Sequence, residues 1–267
     1  VISIIAGTGS LPTAACKNLL ARGCKFFVIT LFPEDNMEDI TSATDGTIEV
    51  ISNPLCKPSK ILEILKNRNT KKVLFIGKVD KSNLLKKIKF DWLGVKFLGS
   101  LVCKSDKTIM ENLVLEFEKH EIEVIKQDEV FDSLMVKPGI LTGTIDQKVK
   151  DDIEFGIEKA SQISQLDIGQ TVVVKDKMVL AVEAIEGTDK CIQRGILLGA
   201  NGVVVCKSAH KSQNKKYDLP TLGPNSIVAA KPGQIKAIAW ESSRTIISNK
   251  EKFIEIAKDL KISLVSV

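Results

Sequence analysis

Histidine is nearly absent from this chain: His120 and His210 are the only two in 267 residues, too few for a histidine-rich zinc site. Long apolar runs are missing too. No stretch reaches the roughly 18 continuous apolar residues of a transmembrane helix, and the N-terminus lacks the charged start of a signal peptide. Nor is there a basic tract. The 38 lysines and arginines exceed the 33 acidic residues enough to give a formal net charge of +5, but they are spread through the chain, which argues against a nucleic-acid partner. The mild positive balance suits an anionic membrane surface or a phosphate-bearing substrate instead. The six cysteines, Cys16, Cys24, Cys56, Cys103, Cys191 and Cys206, lie scattered in apolar stretches and form no CxxC pair. They are expected to be reduced core residues of an intracellular protein. Internal repeats and low-complexity tracts are absent as well.

What is there is a 44% apolar chain with a regular alternation of patterns. Strand-like runs at 1–6, 25–30, 47–51 and 72–77 alternate with helical patterns at 11–22 and 58–67. This predicts an α/β domain built on a mostly parallel sheet. A lysine-rich helical zone at 81–101 follows, then a helix capped by Ser105 with Ile109, Leu113 and Phe117 on one face, and a last strand at 123–126. Periodicity fails between Gln127 and Gly139, where Pro138 and Gly139 stand together, so a boundary is expected there, with domains over 1–130 and 131–267. The second half reads as another α/β domain. It has a helix at 151–165, a hairpin of 171–174 with 178–184, a helix at 190–198, a strand at 202–206, strands at 237–240 and 245–247, a helix at 250–260 and a strand at 263–267.

Two stretches carry candidate chemistry. In the first, IIAGTGSLP, a strand runs into Gly7, Thr8 and Gly9 and then a helix, a turn that can present backbone N–H groups to an anion. The dinucleotide fingerprint wants a third glycine where Pro12 stands, and the second strand lacks a terminal acidic residue to hold a ribose. A nicotinamide-dependent oxidoreductase is therefore the lesser reading. The second stretch is denser: Asp167, Gln170, Glu183, Glu186, Thr188, Asp189 and Arg194 gather around the hairpin and the helix after it. Glu183 lies in an apolar strand, where an unpaired carboxylate is costly, so it should have a partner. Thr188 or Asp189 reads equally as a helix N-cap, and Arg194 as a salt-bridge partner. Lys207 lies just past an apolar strand, where α/β sheets place their sites. Beyond it Lys211, Lys215 and Lys216 lead to Asp218, held in the rigid stretch before Leu219 and Pro220. Lysines closing on a carboxylate suit the hydrolysis of a phosphoanhydride, with the cations offsetting phosphate charge and the carboxylate binding Mg²⁺ or orienting water.

Taken together, IIAGTGSLP, LDIGQTVVV, VLAVEAIEGTDKCIQRG and YDLPTLGP resemble the two-domain UDP-2,3-diacylglucosamine diphosphatases of lipid A biosynthesis, those that are not metallophosphoesterases. The likeness runs in order along nearly the whole chain. It implies a Rossmann-like N-terminal domain and a C-terminal α/β domain with the substrate between them. It also implies Mg²⁺-dependent attack of water on the α-phosphorus of UDP-2,3-diacylglucosamine, releasing UMP and 2,3-diacylglucosamine 1-phosphate. Asp218 matches the aspartate that the family needs for catalysis. Glu186, Asp189 and Lys207 are expected beside it in the catalytic set, with Asp218 and Asp189 as metal ligands. Gly7, Thr8, Gly9, Gln170, Thr188, Arg194, Lys211 and Thr221 are expected to contact substrate. Asn214 and Lys216 stand where the family pattern has aspartate and arginine, and lysine cannot make arginine's bidentate phosphate contact. The expected setting is cytoplasmic and transiently at the inner-membrane surface, with homo-oligomerisation left open. A catalytically silent nucleotide- or lipid-binding module is the remaining alternative.

Overall fold

The computed structural model describes residues 1–53, 57–78, 106–209 and 214–267, with no side-chain placement for 106–109. The expected helical zone at 81–101, the Ser105 cap, His210 and Lys211 lie outside the described residues. Contacts divide the chain into two compact units, one of Val1–Val130 with Lys215–Tyr217, the other of Phe131–Asn214 and Asp218–Val267.

The first unit is a parallel sheet with the order β3-β2-β1-β4-β5, formed by β1 (Ile2–Ala6), β2 (Phe26–Thr30), β3 (Val50–Ser52), β4 (Lys72–Ile76) and β5 (Glu123–Val124). The strands in its middle are almost wholly buried, as covering helices require of a parallel sheet. The connections are α1 (Leu11–Ala21), α2 (Pro33–Ala43), α3 (Pro58–Asn67) and α4 (Asp106–Glu118), and α5 (Gln127–Phe131) follows β5. Pro12 sits in the first turn of α1, where its missing N–H costs nothing. Helix α2 has no counterpart among the sequence expectations, because its acidic first turn and polar body hide a short apolar face. The third strand is shifted from the expected 47–51 to Val50–Ser52.

Lys215–Tyr217 belongs to this unit although the chain on either side of it belongs to the other. The Gln127 N–H donates to the Lys215 carbonyl at 2.8 Å, Lys215 pairs with Asp128 at 2.7 Å, and Lys216 pairs with Glu118 at 2.7 Å. Tyr217 packs against the core that contains Phe75 and Phe117.

The second unit holds a sheet with the order β6-β13-β11-β9-β7-β8. Its strands are β6 (Gly139–Thr142), β7 (Thr171–Lys175), β8 (Met178–Val182), β9 (Val203–Lys207), β11 (Ile235–Trp240) and β13 (Ser263–Ser266). Strands β9, β11 and β13 are mutually parallel, while β6 and β7 run against their neighbours. A separate parallel pair joins β10 (Thr221–Leu222) and β12 (Ile246–Ile247). Helix α6 (Gln147–Gln165) lies on one face over Val172, Val204, Cys206 and Ala239. Helices α7 (Thr188–Gly199) and α8 (Lys250–Asp259) lie on the other, over Val173, Val205, Ile238 and Trp240. Two expectations are corrected here. Helix α6 begins four residues earlier than expected, because Asp146 caps it by accepting from the Val149 N–H at 2.9 Å. The stretch from Gln127 to Gly139, expected to lack periodicity, holds α5, and β6 begins at its end, where a short edge position with an exposed Ile140 gives little alternation to read.

The β7–β8 connection is fixed from outside. Asp176 and Lys177 both adopt left-handed conformations, with φ of 53° and 57°, as a type I′ turn demands. The carboxylate of Asp152, on α6 and only 3% exposed, accepts from both of their amides, at 3.0 and 2.7 Å.

Candidate functional site

In the first unit, the expected anion-binding turn is largely committed to the fold. The Gly7 N–H donates to the Ile76 carbonyl at 2.8 Å and the Thr8 N–H to the Lys78 carbonyl at 2.7 Å. Lys78 returns a bond to the Thr8 carbonyl at 2.9 Å, closing an antiparallel bridge. Asn36 donates to the Gly7 carbonyl while accepting from the buried Thr30 hydroxyl. Gly77, with φ of 100°, lies so close that an added Cβ would stand 2.8 Å from the Gly7 carbonyl carbon. The glycines at 7 and 77 thus serve a close approach of two strand ends. Gly9 is exposed, with φ of 92°.

The second unit gathers polar groups along the edge of its sheet where β8, β9, β11 and β13 end. Lys207 closes β9, with its side chain only 4% exposed. Its ammonium donates to the Thr171 hydroxyl at 3.1 Å and to the Thr188 hydroxyl at 2.8 Å, and lies 3.6 Å from a Glu183 carboxylate oxygen. Thr188 donates to the other Glu183 oxygen at 2.8 Å, and the Gln170 N–H approaches that carboxylate at 3.3 Å. Glu183 therefore has the partner that its burial demanded. Burial raises the Glu183 pKa, but the Lys207 charge and the hydrogen bonds from Thr171, Thr188 and Gln170 prevail and hold it below the usual glutamate value. The approach needs glycine at 169, where a Cβ would collide with the Glu183 carbonyl.

Helix α7 starts at this cluster. Its N-cap is Gly187, with no side-chain cap, so neither Thr188 nor Asp189 fills that role. The first intrahelical bond runs from the Cys191 N–H to the Gly187 carbonyl, which leaves the amides of Thr188, Asp189 and Lys190 ahead of it at the positive end of the helix. Glu186 and Arg194 form an ion pair at 2.5 Å, and Arg194 also donates to the Val182 carbonyl at 2.7 Å. The Arg194 bond, followed by local amide bonds, lowers the Glu186 pKa. Asp189 is half-buried in the first turn of α7 and makes no hydrogen bond or ion pair among the described residues. Cys191 lies beneath, and burial pushes its thiol up to about 12, so it is inert.

The structure thus brings Gln170, Glu186, Thr188, Asp189, Arg194 and Lys207 to one edge of one sheet. Thr221 opens β10, where its hydroxyl reaches the Leu219 carbonyl at 3.4 Å. Asp218 is exposed, and its amide donates to the Asn214 carbonyl at 3.1 Å. Sequence reasoning missed Thr171, Ser208, Glu241 and Arg244. Ser208 donates to Glu241 at 3.0 Å, the Ala209 amide adds a bond at 3.3 Å, and Arg244 pairs with the other Glu241 oxygen at 3.0 Å. The available signal was positional, since Ser208 and Glu241 each directly follow a buried strand.

Such an edge suits a phosphate-bearing ligand: a buried cation, an uncapped helix N-terminus and a carboxylate without a protein partner among the described residues stand together. Among the described residues no group of three or more His, Cys, Asp or Glu side chains could hold a metal ion. No helix of the described residues is long and apolar enough to cross a membrane.

Comparison with known proteins bears on the same chemistry. The LpxI N-terminal domain model matches residues 1–134 and the LpxI C-terminal domain model matches residues 137–265. The UDP-2,3-diacylglucosamine pyrophosphatase LpxI of Caulobacter vibrioides is 30% identical over 281 residues, covering all of this chain and 97% of that protein.

Proposed function

The chain belongs to the LpxI family, and on that premise we propose that it hydrolyses UDP-2,3-diacylglucosamine to UMP and 2,3-diacylglucosamine 1-phosphate in lipid A biosynthesis. The observation that carries this reading is the buried Lys207 beside the uncapped N-terminus of α7, an arrangement matched to the charge of a diphosphate.

The diphosphate is held by the Lys207 ammonium, the first amides of α7 and Arg194. Glu183 and Thr171 keep the ammonium in one place, so its charge is in position before the substrate arrives. Water attacks the α-phosphorus. A new P–O bond forms to the water oxygen, the bond from that phosphorus to the bridging oxygen breaks, and the electron pair leaves with the sugar phosphate. Asp218 takes the proton from the attacking water.

Mg²⁺ fits the donors present in kind: it prefers oxygen ligands and commonly binds through one or two carboxylates together with substrate phosphates, and Asp189 is a carboxylate with no protein partner among the described residues. Asp189 and Asp218 would hold it, and when bound it supplies charge neutralisation at the phosphates. In this reading Gln170, Thr221 and Lys211 are further substrate contacts. The acyl chains of the substrate call for transient residence at the inner-membrane surface on the cytoplasmic side.

The test is incubation of purified protein with UDP-2,3-diacylglucosamine and Mg²⁺. UMP release that Asp218→Ala abolishes supports the reading. No UMP release with either Mg²⁺ or Mn²⁺, or full activity in Asp218→Ala, rejects it.

A further inference from the structure

Behind the Lys207 cluster, on the opposite face of the same sheet, α6 leaves a cleft of about 530 Å³ at the strand ends. Alternation along β9 explains the placement. Val203, Val205 and Lys207 point to the face of α7, while Val204, Cys206 and then Ser208 point to the face of α6. The polar lining comes from Glu158, Ser161, Gln162 and Gln165 of α6, with Ser208 and Glu241 from the strand ends.

We propose that this cleft receives a hydroxylated sugar ring of the substrate, the part attached to the phosphates held at Lys207; the proposal rests on the functional reading above. Its chemistry selects against the other parts of such a molecule. Two carboxylates, Glu158 and Glu241, repel phosphate. The amide, hydroxyl and carboxylate groups stand beside Ile157 and Val267, a mixture that suits the hydroxylated rim and apolar face of a sugar ring. Glu241 is occupied on both oxygens, by Arg244 on one and by Ser208 and the Ala209 amide on the other, which fixes it as an oriented acceptor. Glu158 accepts from Gln162 and from Lys159 on one oxygen, each at 2.9 Å. The side chains of Ser161 and Gln165 have no hydrogen-bond partner among the described residues. They offer donors and acceptors together, and vicinal hydroxyls answer both. Volume also fits, since pockets of roughly 300–1,000 Å³ are the usual size for small ligands. The cleft and the phosphate site adjoin at one edge of the sheet, since Ser208 follows Lys207 at the end of β9 and its amide donates to the Gln170 carbonyl at 3.0 Å.

The ring is either the ribose of the nucleotide or the glucosamine of the lipid, and titration calorimetry separates them. UMP, glucosamine 1-phosphate and inorganic phosphate are titrated into the full chain, wild type and Ser161→Trp, which fills the cleft. The expected result is a loss of about tenfold or more in affinity for one of the two sugar phosphates, with the other and inorganic phosphate within about twofold, as expected when buried hydroxyl partners are lost. The ligand that loses affinity names the ring. Should Ser161→Trp not fold, Gln165→Ala carries the test, with a loss of about threefold or more expected by the same contrast. Equal affinities in variant and wild type, equal loss for all three ligands, or no binding of either sugar phosphate to the wild type would overturn the proposal. A wild type that binds as expected but releases no UMP from UDP-2,3-diacylglucosamine refutes the functional reading alone.

Discussion

The Lys207 ammonium stands 2.8 Å from the Thr188 hydroxyl, and that hydroxyl stands 2.8 Å from Glu183, so one threonine bridges a buried cation and a buried anion across two strand ends. Thr188 opens α7, and the pair therefore fixes where that helix begins relative to the sheet. Removing the cation alone is the sharpest probe. Lys207→Met should lower UMP release at least about a hundredfold, the size of effect seen when a single charge-stabilising group is lost. It should also cost about 3–5 kcal/mol of stability, because Glu183 is left buried without its counter-ion. The double variant Lys207→Met with Glu183→Leu should recover most of that stability and none of the activity. Chemical denaturation beside a UMP-release assay reads both.

Acid should act on the same pair. The folded pKa of Glu183 lies below its ordinary 4.5, so the folded protein holds its proton less tightly than the unfolded chain does. The stability this contributes is present above the ordinary value and is lost as pH falls through the folded value. Thermal melts from pH 7 downward should therefore drop below about pH 5 in the wild type. Glu183→Gln should show a shallower drop over the same interval; an unchanged slope would separate the acid loss from this group.

Asp152 tests whether the hairpin beside the site is held from outside. Asp152→Ala strands two turn amides and should destabilise by about 2–4 kcal/mol, with hydrogen exchange rising first at Asp176 and Lys177. Asp152→Asn keeps one acceptor oxygen and should lose roughly half as much.

Arg194 should give the opposite pattern to Lys207. Its side chain is 47% exposed, so loss of the Glu186 pair in Arg194→Ala should leave stability nearly unchanged. Its effect should fall on KM for the nucleotide substrate, and Arg194→Lys should restore charge without the forked geometry and recover only part of it. Steady-state kinetics paired with thermal shift distinguishes this from a merely structural role.

The alternation of apolar runs and helical patterns was enough to read an α/β chain with a parallel N-terminal sheet. The demand that Glu183 find a partner was also legible, because burial of a carboxylate is costly whatever the fold. Which partner it finds was not, since Lys207 and Thr171 reach it only through the antiparallel β7–β9 pairing, and register is a long-range property. Gly7 and Thr8 illustrate the same limit: the turn reads as open to an anion until Ile76 and Lys78, some 70 residues on, take up its amides. Helix α2 and strand β6 escaped because their buried faces are too short to impose a period. Ser208 and Glu241 escaped because a cleft forms only once three strand ends and α6 are side by side.

The placement of Lys215–Tyr217 has a consequence for synthesis order. Chains emerge from the ribosome N-terminus first, and a leading unit ordinarily folds while the rest is still being made. Here Tyr217, which packs against the core around Phe75 and Phe117, and Lys215, which pairs with Asp128, arrive only after β6 to β9 have been translated. The first unit therefore waits for a piece of itself that arrives amid the second unit's sequence, and residues 1–130 expressed alone would lack the tyrosine that packs against their core.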